Sequence, residues 1–179
     1  MGFQNCATGL DLGFYVASSL GARMIAAASS QAKRAAAINA RAEVAVDYEI
    51  EDLKARVREF TGAGAHLVVD PVGDPFAEPA LRSLRGLGRY LVVGFAGGSI
   101  PWLPLNHVLL ENRTVIGVDW GAWSRRIRRA TRHSWPICST AWRLGVCTCR
   151  PHDVPTQRAA EALNRLARRR VAGKLALLP

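Results

Sequence analysis

The sequence predicts an α/β fold built on a doubly wound parallel sheet. Between about residues 20 and 120, short and almost continuous apolar runs alternate with amphipathic segments. Runs that are apolar on both faces are typical of parallel strands covered by helices on both sides. Glycine and polar residues follow the ends of several of these runs, and that edge is where such sheets bind their ligands.

The predicted strands and helices alternate along the chain. Strands are predicted at residues 22–28, 42–48, 65–70, 88–95 and 114–119. Helices are predicted at residues 30–39, 49–60 and 78–87. Ser29 or Ser30 suits the N-cap of the first helix, because a hydroxyl there can accept a bond from an unpaired amide. The second helix repeats apolar residues on one face at the 3.6-residue period, namely Ile50, Leu53, Val57 and Phe60.

The C-terminal part predicts one more helix and strand. An amphipathic pattern at residues 156–170 predicts a helix with Ala160, Leu163 and Leu166 facing inward. A last strand is predicted at 174–179. Residues 124–153 show neither period and contain an unusual number of Arg, Cys and Trp residues. Such a composition is typical of a coding frame shifted and then restored, and we take that as a hypothesis for this segment.

The net charge of +10 is concentrated in that aberrant segment. Residues 124–153 contain seven Arg, no Lys and one acidic residue, a balance of +6. Because the excess is local and has no readable helix or aromatic strand pattern, we predict no nucleic-acid partner. Cys138, Cys147 and Cys149 lie there as well, with His133 and His152, but their spacing matches no common zinc site. We therefore predict no metal site.

The lack of long apolar runs and of a secretory signal bears on the cellular location of the protein. No apolar run approaches 18 residues, so no membrane association is predicted. The first residues lack the basic start and apolar stretch of a secretory signal, so a cytoplasmic protein is expected.

The end of the strand at 22–28 is the first candidate for a ligand site. It is followed by Ser29, Ser30, Lys33 and Arg34, without the acidic residue that usually holds the ribose hydroxyls of NAD. Small hydroxyls and cations suit the 2′-phosphate of NADP instead. The alternative is a capped helix with solvated cations.

Other strand ends add to this candidate site. Tyr48 ends the strand predicted at 42–48, where it could lie against an adenine ring or cover the sheet edge. Phe95 ends the strand predicted at 88–95, and Gly97 and Gly98 follow it. Glycine has no Cβ, so backbone amides there could face a nicotinamide or a pyrophosphate. No residue pattern suggests covalent catalysis, and we assign no catalytic residue.

The sequence resembles a known family in three stretches. Residues 70–123, from DPVG through VGFAGG to VDWGAW, resemble the cofactor domain of quinone oxidoreductases. These form a zinc-free, NADPH-using branch of the medium-chain dehydrogenase/reductase superfamily. Residues 20–33 and 154–179 resemble it too. The resemblance implies a Rossmann-like fold, with Lys33 on the 2′-phosphate and Tyr48 on the adenine side.

The same resemblance implies further cofactor contacts. Phe95 and Gly97 would lie on the nicotinamide side, and Arg169 and Lys174 could contribute near the C-terminus. The family often pairs through the edge near residues 114–119, so a homodimer is possible.

The N-terminal stretch departs from the family pattern. Counting back from Gly21 places residues 4–10 over the phosphate-binding loop, and the available glycines are wrongly spaced for it. The central strand would then lie before Met1. We therefore predict a single incomplete dinucleotide-binding domain over residues 1–179, with its first strand and Gly-rich loop missing or degraded.

The functional expectation follows from these points. The resemblance implies the cofactor-binding portion of an NADPH-dependent oxidoreductase that passes a hydride to a quinone or enone-like acceptor. The chain on its own is expected to be inactive. The alternative is a catalytically inactive, truncated remnant with weak or no nucleotide binding.

Overall fold

A six-stranded parallel sheet is the centre of the structure. The computed structural model describes residues 2–5, 17–18, 20–126, 152–168, 170–171 and 175–179. Every neighbouring pair in this sheet is parallel, in the order β3-β2-β1-β4-β5-β6. The strands are β1 (Gly2–Asn5), β2 (Met24–Ala27), β3 (Val44–Val46), β4 (Ala65–Asp70), β5 (Leu84–Val92) and β6 (Thr114–Gly117).

Helices connect most of these strands. They are α1 (Gln31–Asn39), α2 (Leu53–Thr61), α3 (Ala77–Ser83), α4 (Asn106–Leu109) and α5 (Trp120–Arg126). The predicted order of strands and helices is confirmed, and so is the parallel sheet. No helix in the described ranges is long and apolar enough to cross a membrane.

The core lies on both faces of the sheet. Ile25 and Ala27 of β2 belong to one buried cluster, together with Val57, Leu81 and other residues. Met24 and Ala26 of the same strand belong to a second cluster. Because successive side chains of a strand point to opposite faces, both faces of β2 are covered, as the doubly wound prediction requires.

The position of β1 corrects the prediction that the central strand precedes Met1. Gly2–Asn5 lies between β2 and β4, with Gly2 in register with both Met24 and Leu67. The prediction was wrong because GFQN has no apolar pattern, whereas parallel pairing needs only backbone N–H and C=O groups. The Gly-rich loop was predicted to be unsuitable for a phosphate. Residues 6–16 lie outside the described ranges, so for them this stays a prediction.

Two predicted helix boundaries also differ. The helix predicted at 49–60 begins at Leu53, where the Asp52 side chain accepts a bond from Ala55 N at 3.0 Å. Ile50 therefore precedes the helix and is exposed, while Leu53 and Val57 are buried as predicted. The helix predicted at 78–87 ends at Ser83, because Leu84 is already extended and pairs with Ala65.

The C-terminal residues form a smaller unit. β7 (His152–Pro155) and β8 (Leu175–Leu178) pair in parallel as a separate two-stranded sheet. A 3-10 turn (Thr156–Arg158) and α6 (Ala159–Ala167) follow β7. The inward face predicted for this helix is wrong for Ala160 and Leu163, which are exposed, whereas Leu166 is half-buried and Ala162 is the buried residue. Most of the aberrant segment, residues 127–151, lies outside the described ranges.

Candidate functional site

The carboxyl end of β2 carries the first group of candidate residues. Ser30 is the N-cap of α1, and its Oγ accepts a hydrogen bond from Lys33 N at 3.4 Å. This confirms the predicted cap. Ser29, Ser30 and Lys33 are all half-buried, so two residues with hydroxyls and one with an ammonium group lie at or next to a helix N-terminus. That is a favourable place for an anion, because the helix dipole and the first amides add to the positive potential.

Arg34 has a different environment from the one its sequence position suggests. One guanidinium nitrogen donates to Ala28 O at 3.1 Å and also forms an ion pair with the Asp47 carboxylate. Asp47 lies at the carboxyl end of β3 and is 8% exposed. The pair therefore joins the ends of two neighbouring strands, and no sequence pattern indicates that Asp47 is the partner of Arg34.

The Asp47 carboxylate is fixed by more than this ion pair. Its Oδ1 accepts a hydrogen bond from Glu49 N at 3.1 Å. The Asp47 amide donates to Glu51 Oε1 at 2.7 Å. The carboxylate thus has a defined position beside the β2 end, next to the residues proposed for a phosphate.

Tyr48 follows Asp47 and packs against an aromatic neighbour. The rings of Tyr48 and Phe76 lie 4.0 Å apart, centroid to centroid, at an interplanar angle of 45°. Tyr48 also lines a cleft of about 710 Å³, together with Asp74, Phe76 and Trp102. Phe76 was not among the predicted site residues, because it precedes a helix and belongs to no strand end. The aromatic pair offers a flat apolar surface for a planar ring.

Beyond β4, a buried hydrogen-bond network fixes the next turn. Asp70 Oδ1 accepts bonds from Val72 N at 2.8 Å and Gly73 N at 3.0 Å. The Tyr90 hydroxyl donates to Asp70 Oδ2. Burial raises the pKa of Tyr90 far above its ordinary value, and the bond to Asp70 and the charge of Asp70 raise it further. The Asp70 carboxylate, itself hydrogen-bonded to Tyr90, therefore fixes the conformation of the turn at Val72 and Gly73.

The segment after β5 uses its amides within the chain. Gly97 N donates to Val72 O at 2.7 Å, and Gly98 N donates to Phe95 O at 3.0 Å. The expectation that amides of this segment face a ligand is therefore wrong for these two residues. For Gly97 the physical reason is that residues 93–97 continue alongside 70–72 past the end of the strand pair, whereas the Gly98 amide closes a local turn onto Phe95.

Glycine is nevertheless required at position 97. A Cβ there would lie 2.8 Å from Val72 O and would also collide with Asp74 O. Phe95 is partly exposed and packs over Gly73, where a Cβ would lie 3.0 Å from the Phe95 ring. The segment consequently presents the Phe95 side chain beside two glycines that carry no side chain.

The sheet brings the predicted residues to one edge but in two groups. Ser29, Ser30, Lys33 and Tyr48 follow β2 and β3, whereas Phe95, Gly97 and Gly98 follow β5. Three inter-strand spacings separate β2 from β5 in the sheet order, or about 14 Å. The order reverses between β1 and β4, and a crevice at such a point is the usual ligand site of this kind of sheet. Arg169 and Lys174 lie outside the described ranges.

This chain matches the family model described as zinc-binding dehydrogenase over residues 12–135. The chain belongs to the zinc-binding dehydrogenase family. Its relatives include quinone oxidoreductase-like protein 2 of Bos taurus, 40% identical over 121 residues, which are 67% of this chain and 35% of that protein. The homolog from Nematostella vectensis is 35% identical over 94 residues, covering 52% of this chain and 26% of that one.

Solved structures agree with this assignment. The quinone oxidoreductase of Pseudomonas syringae is 25% identical and superposes with a TM-score of 0.85, covering 99% of this chain and 56% of that one. A mycobacterial protein solved in complex with NADPH gives 0.86, with the same identity and coverage. This zinc-binding dehydrogenase chain is thus a quinone oxidoreductase-like cofactor-binding domain of the medium-chain dehydrogenase/reductase superfamily. It spans about a third of the length of the Bos taurus relative and about half of these solved chains.

The family name does not by itself locate a metal in this chain. Among the described residues, no three His, Cys, Asp or Glu side chains cluster as metal ligands. His133, Cys138, Cys147 and Cys149 lie outside the described ranges, so the predicted lack of a zinc site there stays a prediction.

Proposed function

We propose that this chain is the cofactor-binding portion of an NADPH-dependent oxidoreductase acting on quinones or enone-like acceptors. The observation that carries the proposal is the end of β2, where Ser30 caps α1, half-buried Ser29 precedes the cap and half-buried Lys33 lies in the first helical turn. An anionic group such as a 2′-phosphate suits this place, since hydroxyls, an ammonium group and helix amides can all donate to it. The NADPH complex of the mycobacterial relative supports the choice of cofactor.

Each group of residues has a defined task in this proposal. Ser29, Ser30 and Lys33 hold the 2′-phosphate, and Tyr48 covers the adenine side. Phe95, Gly97 and Gly98 cover the nicotinamide side. In the reaction, a hydride passes from the dihydronicotinamide to the acceptor, which also takes a proton from water. The residues of this chain orient the dinucleotide, and no described side chain needs to react.

We further propose that residues 1–179 act as a single dinucleotide-binding domain in the cytoplasm, incomplete in its Gly-rich loop but with its central strand supplied by β1. A homodimer through β6 fits the sheet, since β6 is the last strand in its order and Val115 is partly exposed. Sedimentation of the wild-type chain and of Val115→Arg tests this. A dimer that Val115→Arg dissociates is expected, and a wild-type monomer at all concentrations contradicts the pairing.

The cofactor assignment is tested by titrating the full chain with NADPH and following nucleotide fluorescence. Saturable binding that 2′-AMP displaces is expected. Lys33→Gln should weaken NADPH binding about tenfold, whereas Arg58→Gln should not. Arg58 is a suitable control because it is an exposed cation in the last turn of α2, far along the helix from the strand ends.

The outcomes separate the parts of the proposal. Absence of saturable NADPH binding overturns the cofactor assignment and favours a remnant without nucleotide binding. Binding with oxidation of NADPH by an added quinone, followed at 340 nm, supports a complete reductase. Binding without oxidation supports the cofactor-binding portion alone.

A further inference from the structure

The ion pair between Arg34 and Asp47 lies at the carboxyl edge of the sheet, between two groups assigned to the cofactor. Ala27 is in register with Val46, so Ala28 lies beside Asp47. The backbone confirms this, since Ala28 N donates to Val46 O at 3.0 Å. A carboxylate is therefore present next to the proposed 2′-phosphate site, although it comes from β3 and not from β2.

A carboxylate at this edge normally favours the unphosphorylated dinucleotide. It accepts hydrogen bonds from the ribose hydroxyls of NAD and repels a 2′-phosphate. In this chain the carboxylate is paired with Arg34, whose side chain is 24% exposed, against 12% for Asp47. Because little water reaches this ion pair, Arg34 neutralises the charge of Asp47 more effectively than it would in an exposed pair.

We propose that the Arg34–Asp47 ion pair sets the preference of this site for a 2′-phosphorylated dinucleotide over its unphosphorylated form. Arg34 is a positioning residue, which neutralises the charge of the Asp47 carboxylate beside the proposed site. Asp47 is a latent determinant for NAD, which acts only when Arg34 loses its charge. This inference rests on the proposed cofactor site.

The local bonding explains why removal of one partner should have this effect. Asp47 keeps a hydrogen bond from Glu49 N, and Arg34 keeps one to Ala28 O. Each partner thus has a second bond that limits its movement when the other is changed. Arg34→Gln leaves a fixed anion at the site, and Asp47→Asn leaves a fixed cation.

The experiment measures dissociation constants for NADPH and NADH on the full chain and compares their ratio among variants. We expect Arg34→Gln to lower the preference for NADPH about tenfold and Asp47→Asn to raise it by a similar factor. The double variant should return close to the wild-type ratio. These shifts should shrink at high salt, because they arise from charge.

A second ion pair, at the other end of the same two strands, provides a matched control. Arg23 and Glu43 precede β2 and β3 and form an exposed ion pair at 2.9 Å, at the opposite edge of the sheet. Arg23→Gln removes the same charge and also separates a pair that joins these strands. We expect it to leave the NADPH-to-NADH ratio unchanged.

The outcomes distinguish this inference from the cofactor assignment. A wild-type chain that binds neither nucleotide overturns both. A chain that binds NADPH, but whose ratio is the same in Arg34→Gln and Asp47→Asn, overturns the ion-pair proposal alone. Equal weakening of both nucleotides also overturns it, since that is the result of a merely structural role. If Arg34→Gln does not fold, Asp47→Asn decides the matter, because it removes the buried charge.

Discussion

The Tyr90 hydroxyl donates a hydrogen bond to the Asp70 carboxylate inside the sheet, and both residues are buried. Tyr90 lies on β5 and Asp70 ends β4, so the bond links neighbouring strands. Asp70 also accepts two amides from the turn that follows it. One phenol thereby supports the turn that carries Gly73, against which Phe95 packs.

Tyr90→Phe should destabilise the chain by about 1–3 kcal/mol. The change leaves a buried carboxylate oxygen without its hydroxyl donor, and that desolvation is not recovered. Urea denaturation measures the loss. Tyr48→Phe is the control, because in the described part of the chain the Tyr48 hydroxyl has no hydrogen-bond partner, and we expect a change within 0.5 kcal/mol for it. Equal losses in the two variants would contradict the role given to Tyr90.

The same pair predicts a loss of stability at alkaline pH. The pKa of Tyr90 is raised above 10.0 in the folded chain, mainly by burial. Above pH 10 the unfolded chain therefore releases a proton that the folded chain keeps. Stability should fall as pH rises beyond that point, by up to about 1.4 kcal/mol per pH unit from this residue.

The measurement is urea denaturation between pH 8 and 11 in about half-unit steps, on wild type and Tyr90→Phe. The wild-type curve should fall more steeply than that of the variant above pH 10. Parallel curves would show that another group causes the alkaline loss.

Gly97→Ala should cost about 1–3 kcal/mol and distort the turn at Phe95, because the new Cβ collides with backbone carbonyls that cannot move aside cheaply. Denaturation and NADPH titration both report the change. Gly117→Ala is the matched control: it lies on β6, where a Cβ meets nothing within 4 Å. A stable Gly97→Ala with normal binding would refute the close approach.

Arg113→Met should destabilise the chain by about 3 kcal/mol. The buried guanidinium donates to the carbonyls of Leu84, Arg85 and His107, and methionine leaves all three without that donor. Arg89→Met is the control, since Arg89 is an exposed arginine on β5. Thermal unfolding measures the midpoint temperature of both variants, and we expect it to fall more for Arg113→Met than for Arg89→Met. A similar small fall in both variants would contradict the stabilising role of Arg113.

Local patterns in the sequence were sufficient for much of the fold. The apolar runs identified β2 through β6, because strands covered on both faces need continuous apolar residues. Ser30 was identified as a cap, since capping depends only on a hydroxyl and the next helical turn. Boundaries were less well predicted: the helix expected to reach residue 87 stops at Ser83, where strand pairing takes over.

The sequence by itself determined the alternating α/β order, the family, and which residues lie at the carboxyl ends of the strands. Tertiary structure alone decided the rest. Gly2–Asn5 became the central strand through backbone pairing, which leaves no side-chain pattern. Arg34 pairs with Asp47, 13 positions away, because the register of β2 with β3 brings the two side chains together. The Gly97 amide donates to the Val72 carbonyl because the chain segments after β4 and β5 continue side by side. In each case the partner is distant along the chain, and only the packing of the sheet brings the two groups together.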